Sequence, residues 1–164
     1  MAEKFTRWDP VDHLQTEEAM MLYLEACMDD DPGDGSLIRA ALNDIARARG
    51  MTQLADLRIH NNHFTRLDLT GLTALTDLWA GDNRIAELTT TGADALVFVQ
   101  LENNLIASHD FTHAAKMETI NLTKNPLTSI DVRGLKYLQA ISCNYTQLTQ
   151  LNLSGTYSLR SVQW

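Results

Sequence analysis

The sequence predicts an α+β solenoid: a right-handed coil carrying one parallel β-sheet, closed at its N-terminal end by an α-helical hairpin. Three observations carry this expectation. Apolar residues recur every 21 positions from Leu54 to Trp164. An asparagine recurs in the same register. Residues 1–53 lack that period and hold two amphipathic stretches separated by a breaker loop.

The columns are regular. Leu54, Leu75, Leu96, Met117, Leu138 and Leu159 stand 21 residues apart. Three positions later come Leu57, Leu78, Val99, Ile120, Ile141 and Val162. Two further on stand Ile59, Ala80, Leu101, Leu122, Cys143 and Trp164. Asn62, Asn83, Asn104 and Asn125 follow, with Thr146 in the fifth unit, and then Phe64, Ile85, Ile106, Leu127 and Leu148. Five full units run without an insertion, and a partial sixth closes the sequence. Such a unit cannot bury its apolar face alone, so neighbours must stack.

Each unit reads as a short strand with its fourth and sixth residues pointing inward, followed by a turn and a return path. Strand alternation gives that facing, and stacking sets the strands in parallel about 4.8 Å apart. The asparagine turns the chain out of the strand, and its side chain can bond backbone groups that the sheet leaves unpaired. Stacked asparagines form a ladder; Thr146 replaces only part of it. A second apolar pair, Leu67 with Leu69 or Ile130 with Val132, lines the convex side. Gly71, Gly92, Gly134 and Gly155 mark four of the five return paths, where extended or 3₁₀ segments are expected. His109 departs from the column of Leu67, Leu88, Ile130 and Leu151 and reads as a tolerated, partly exposed convex residue. Its spacing to His113 carries no metal-site meaning on a non-helical return.

The first coil of a solenoid needs a polar-faced cap. Thr16 is placed to N-cap a helix with Glu17 and Glu18 in its first turn and Met20, Met21, Leu24, Cys27 and Met28 along one stripe. DDDPGDG, residues 29–35, breaks the chain. Ser36 is placed to cap a second helix with Ile38, Ala41, Leu42 and Ile45 on one face, stopped by Gly50.

The pattern LxxLxLxxNxL over residues 54–164 resembles the leucine-rich repeat family, in the form of short bacterial 21-residue units. FTRWDPVDHLQTEEAMMLYLEA and GSLIRAALNDIARARGMTQLA, within residues 5–55, resemble the N-terminal half of the putative addiction-module antidote proteins. That resemblance implies a small bacterial antitoxin with a DNA-binding helix-turn-helix, in which MTQLA opens the motif and a recognition helix follows. Here Asp56 onward follows the repeat instead, so the segment that would enter the major groove is missing. The chain therefore divides into an antitoxin-like cap, residues 1–53, and the repeat solenoid, residues 54–164.

Charge narrows the function. The formal net charge is −8. Residues 1–50 carry 11 acids and 5 bases, and residues 51–164 carry 10 and 8. Neither part has the basic surplus that a phosphate backbone requires, so no nucleic acid is expected. Cys27 and Cys143 show no metal or disulfide spacing and suit a reducing compartment. No apolar run suggests a secretory signal or a membrane span, so a cytoplasmic protein without membrane attachment is expected. No cofactor, metal or catalytic constellation is expected. HNNH (60–63) sets two histidines on opposite sides of a turn. Asp9, Asp12 and His13 have no nucleophile beside them, and DDDPGDG lacks the glutamate of a calcium loop.

Binding is assigned to outward strand residues of the first three units. Asp56, Arg58 and His60 come from the first, Asp77 and Trp79 from the second, and Phe98, Gln100 and Glu102 from the third. Trp79 and Phe98 fall on adjacent strands and either anchor a partner or pack on each other. Gly81 beside them would leave room for a partner's side chain. Asp77, Arg58 and Glu102 either orient that partner or form a solvated ladder. At the far end Trp164 falls in an inward column with no capping segment after it. Either further repeats follow, or two copies meet as a homodimer along the open edge, or Trp164 folds over the end. The reading favoured is a non-catalytic protein-interaction module. The competing ones are an antitoxin-type or DNA-binding regulator and an engineered or recombined scaffold without its own partner.

Overall fold

In a computed structural model, residues 9–31, 36–49 and 54–164 are described. A 3₁₀ turn, Pro10–His13, is capped by Asp9, whose carboxylate accepts the Val11 amide at 3.1 Å. Thr16 caps helix α1 (Glu17–Asp29) by accepting the Ala19 amide at 3.1 Å, and Glu17 and Glu18 occupy the first turn. Met20, Leu24 and Met28, four apart, form its buried stripe. Helix α2 (Ser36–Ala48) buries Ile38, Ala41, Leu42, Ile45 and Ala46. Ser36 already belongs to the helix; its side chain, the loop 32–35 and the Gly50 stop lie outside the described residues. The Tyr23 hydroxyl donates to Asp44 at 2.9 Å and ties the two helices together.

From Leu54 onward the described chain has no helix. Each coil opens with a three-residue strand, and the returns of the first four carry a second one. Thus β1 (Asp56–Arg58) is followed by β2 (Arg66–Asp68), β3 (Asp77–Trp79) by β4 (Glu87–Thr89), and β5 (Phe98–Gln100) by β6 (Ser108–Asp110). Next come β7 (Thr119–Asn121) with β8 (Ser129–Asp131), then β9 (Ala140–Ser142) and β10 (Ser161–Gln163). The front sheet is six-stranded and parallel, in the order β1-β3-β5-β7-β9-β10. Its register is the sequence period: Leu57 faces Leu78, Leu78 faces Val99 and Ile120 faces Ile141. The middle residue of β1, β3, β5, β7 and β9 is buried, as alternation requires.

The return side adds to the expected single sheet. β2 pairs with β4, and β6 with β8, each in parallel. β4 and β6 do not pair, so the return ladder is interrupted between coils 2 and 3. The cause is local. Gly71, Gly92, Gly134 and Gly155 turn with φ of 76–81°, a region open to glycine. The third coil has His113 there, and His113 is not among the left-handed residues. The Gly71 amide reaches Thr91 O at 3.0 Å and the Gly134 amide reaches Ser154 O at 2.9 Å; Gly92 makes no matching bond to Thr112.

The asparagine ladder is present. Asn104 Nδ2 donates to Ala80 O of the previous coil at 2.9 Å and to Leu101 O at 3.1 Å, while its Oδ1 accepts the Ile85 amide at 2.9 Å. Asn83 and Asn125 repeat the pattern. Thr146 donates to Cys143 O at 2.8 Å but makes no bond across to the Leu127 amide. Just before this column, one residue per coil is left-handed: Asn61, Asp82, Asn103, Lys124 and Tyr145, with φ of 54–58°.

Two arginines, Arg66 and Arg39, join the cap to the first coil. Arg66 Nη2 donates to Met28 O at 2.8 Å and Asp31 O at 3.0 Å, placing a cation at the C-terminal end of α1. The buried Asp31 carboxylate accepts the Leu37 amide at 3.0 Å and faces Arg66 at 3.5 Å. Arg39 pairs with Asp68 at 2.6 Å. One apolar core then runs from Met20 and Leu42 through Leu57 to Leu148. At the other end β10 is exposed throughout. Trp164 is 56% exposed and does not fold over the end.

Candidate functional site

The front sheet brings the eight candidate residues onto one face, across β1, β3 and β5 and the turns just after them. Asp56 lies opposite Asp77, and Asp77 opposite Phe98; Arg58 lies opposite Trp79, and Trp79 opposite Gln100. Trp79 and Phe98 are therefore diagonal neighbours. Their rings sit 4.6 Å apart at 42°, and both are half-buried. They do pack on each other, and each stays partly exposed.

Arg58 is shared between a carboxylate and a ring. Its Nε and Nη2 reach Asp56 Oδ2 at 3.1 and 3.0 Å, and its guanidinium carbon lies 5.6 Å from the Trp79 centroid. Hydrogen bonds to Asp56, then its charge, hold the guanidinium above its usual range. Asp77 accepts the Thr76 hydroxyl at 2.6 Å. His60 is exposed at the rim.

Gly81 does not offer the expected vacancy. It is buried, and a Cβ there would stand 2.6 Å from Glu102 Oε1, so the Glu102 carboxylate already covers it. Glu102 is held in turn: Asn121 Nδ2 donates to Gln100 Oε1 at 2.8 Å and to Glu102 Oε2 at 3.3 Å. What remains open is a cavity of about 340 Å³. Arg58 and His60 line it from the first coil, Trp79, Gly81 and Asp82 from the second, Gln100 and Glu102 from the third. The sequence reading missed Asp82 and Asn121. Asp82 belongs to the left-handed column, which projects beside the strand face, and it accepts from Asn103 at 2.7 Å.

The other candidate chemistry resolves into structure. His109 is mostly buried and its Nε2 lies 2.9 Å from the hydroxyl of buried Thr90. Burial, then the nearby His113, pushes its pKa down to about 4. His113 Nε2 is buried without a hydrogen-bond partner. Asp9 is held by Arg47 at 2.6 Å, and His60 and His63 are exposed. Burial raises the Cys143 thiol to about 11. Among the described residues no three His, Cys, Asp or Glu side chains are grouped to hold a metal ion, and no helix is long and apolar enough to cross a membrane.

Comparison with known proteins divides the chain at the same seam. Residues 4–58 match the family model described as probable addiction module antidote protein. An uncharacterized protein of Haemophilus influenzae is 44% identical over 55 residues, covering 34% of this chain and 55% of the relative. The chain thus spans about half the length of that relative. The match ends at Arg58, so its last three residues form β1. Among solved structures, the functional domain of InlJ from Listeria monocytogenes, described as including a cysteine ladder, aligns with a TM-score of 0.65 at 27% identity. The alignment covers 67% of this chain and only 24% of InlJ. In the present solenoid Cys143 is the single cysteine. InlJ is a leucine-rich-repeat protein, and the chain joins an antidote-like N-terminal segment to a solenoid of that kind, a fold that is typically non-catalytic and suited to protein interaction.

Proposed function

We propose that the chain is a non-catalytic module that recognises a protein partner through the front face of coils 1 to 3. The observation that carries this is the Trp79–Phe98 pair, half-open on a six-stranded sheet whose backbone is held by the asparagine ladder. Aromatic groups on a rigid surface lose little entropy on binding and are common anchors of interfaces. The test is affinity capture from a bacterial lysate with the full chain and with Trp79→Ala/Phe98→Ala. The double variant should keep its circular dichroism and lose its partner. Unchanged capture would move the site off this face.

The antidote-like segment favours a second reading, an antitoxin-type regulator. It is supported by the 44% identity over 55 residues, and opposed by the passage of the chain into β1 where a recognition helix would follow. A mobility shift on operator-like DNA at low salt separates the two, because phosphate contacts are strongest there. Binding by the full chain would favour the regulator.

A further inference from the structure

We propose that the cavity between Arg58 and Glu102 takes an arginine side chain from the partner protein. This rests on the reading of the front face as a protein-binding surface, and it names the chemistry that surface selects.

Charge is the first argument. Asp77, Asp82 and Glu102 lie around Trp79 and Phe98, and none forms a close ion pair among the described residues, although Asp77 lies within the field of Arg58. Each is held by neutral donors instead: Asp77 by the Thr76 hydroxyl, Asp82 by Asn103 and Glu102 by Asn121. These bonds fix the carboxylates without cancelling their charge. The one arginine on this part of the face, Arg58, is spent on Asp56. Farther along, Thr119, Asn121, Ala140 and Ser142 are neutral and small. The negative potential is therefore confined to the aromatic end.

Shape is the second. The cavity, about 340 Å³, pairs the Trp79 ring with the carboxylates of Asp82 and Glu102. A long side chain with an apolar stem and a planar cationic head meets both. Arg58 lies 5.6 Å from the Trp79 centroid, so the ring accepts a guanidinium, and the incoming one must share or displace it. Guanidinium is favoured over ammonium because it stacks on an indole and bonds a carboxylate through two donors.

The experiment uses the full ¹⁵N-labelled chain and the capped peptide Gly-Arg-Gly-Arg-Gly, with lysine and glutamate counterparts as controls. The Trp79 indole resonance is identified by its loss in Trp79→Phe. The arginine peptide should shift that resonance saturably and the lysine peptide more weakly. The glutamate peptide should leave it in place. Asp82→Asn/Glu102→Gln should weaken arginine binding several-fold. An unmoved indole, an equal response to glutamate, or an unchanged affinity in the double variant would overturn the proposal. The two readings also fail separately. If a protein partner is lost by Trp79→Ala/Phe98→Ala yet kept by Asp82→Asn/Glu102→Gln, the face binds protein and the arginine proposal falls.

Discussion

His109 Nε2 and Thr90 Oγ1 lie 2.9 Å apart inside the return side of the solenoid, joining two coils whose strands β4 and β6 do not pair. Burial, then the nearby His113, disfavours the charged imidazole and lowers its pKa to about 4. A depressed histidine stabilises the fold above its unfolded value, and that stability is lost as pH falls from about 6.5 toward 4. At pH 4.5 the loss is about 2–3 kcal/mol from this group. Urea titrations at pH 7 and 4.5 should show it as the difference between the native chain and Thr90→Val/His109→Leu. Equal pH dependence in the two would refute it.

The same pair makes a clean double-mutant cycle. Either single substitution leaves a buried polar atom unpaired, which costs about 1–3 kcal/mol. The double substitution should cost less than the two singles together, since both polar atoms then go. Additive losses would mean that the bond does not form.

The ladder predicts a gradient in asparagine cost. Asn104→Ala strands the Ile85 amide in the core, while Ala80 O and Leu101 O keep donors from Asn83 and Asn125. It should destabilise by about 1–3 kcal/mol. Asn62 bonds its own turn, at Ile59 O and His60 O, and reaches the Met21 sulfur of the cap at 3.9 Å, but holds no backbone amide of a neighbouring coil, so Asn62→Ala should cost about 1 kcal/mol. Thr146→Asn should gain about 1 kcal/mol by reaching the Leu127 amide. Denaturant midpoints read all three, and a neutral Asn104→Ala would contradict the ladder.

Lys124 and Tyr145 hold φ of 58° and 56°, where a Cβ crowds the backbone. Their counterparts Asn61 and Asn103 tolerate that region better. The Tyr145 side chain is 83% exposed, so its ring adds little packing. Tyr145→Asn should therefore raise stability by about 0.5–1 kcal/mol. A lower melting temperature would show that the tyrosine contributes packing not evident from its exposure.

His113→Gly should let the third coil adopt the turn of its neighbours. The Gly92 amide would then bond Thr112 O, and hydrogen exchange at Gly92 should slow by an order of magnitude or more. Unaltered exchange would place the cause of the interruption elsewhere than residue 113.

The front sheet was legible because parallel stacking repeats one position every 21 residues, so Leu57, Leu78 and Val99 announce their own register. The return strands were not. Leu67 with Leu69 marked an extended return path, but nothing in that pair told which return segments would pair as strands. The left-handed column hid because Asn61, Asp82, Lys124 and Tyr145 share a conformation and no side-chain chemistry. Thr90 and His109 each broke an apolar column in successive coils. Taken together, those two departures would have given the pair. For the site, the columns placed Asp77, Trp79 and Phe98 on one face. They did not give Glu102 over Gly81, because a flexible carboxylate takes its position from neighbours such as Asn121.

The gap in the return ladder lies at the level of coils 2 and 3, the two coils that supply Trp79 and Phe98. A stack fastened on one side and loosely latched on the other bends most easily where the latch is. The Thr90–His109 contact is a side-chain bond that joins those two coils on that side.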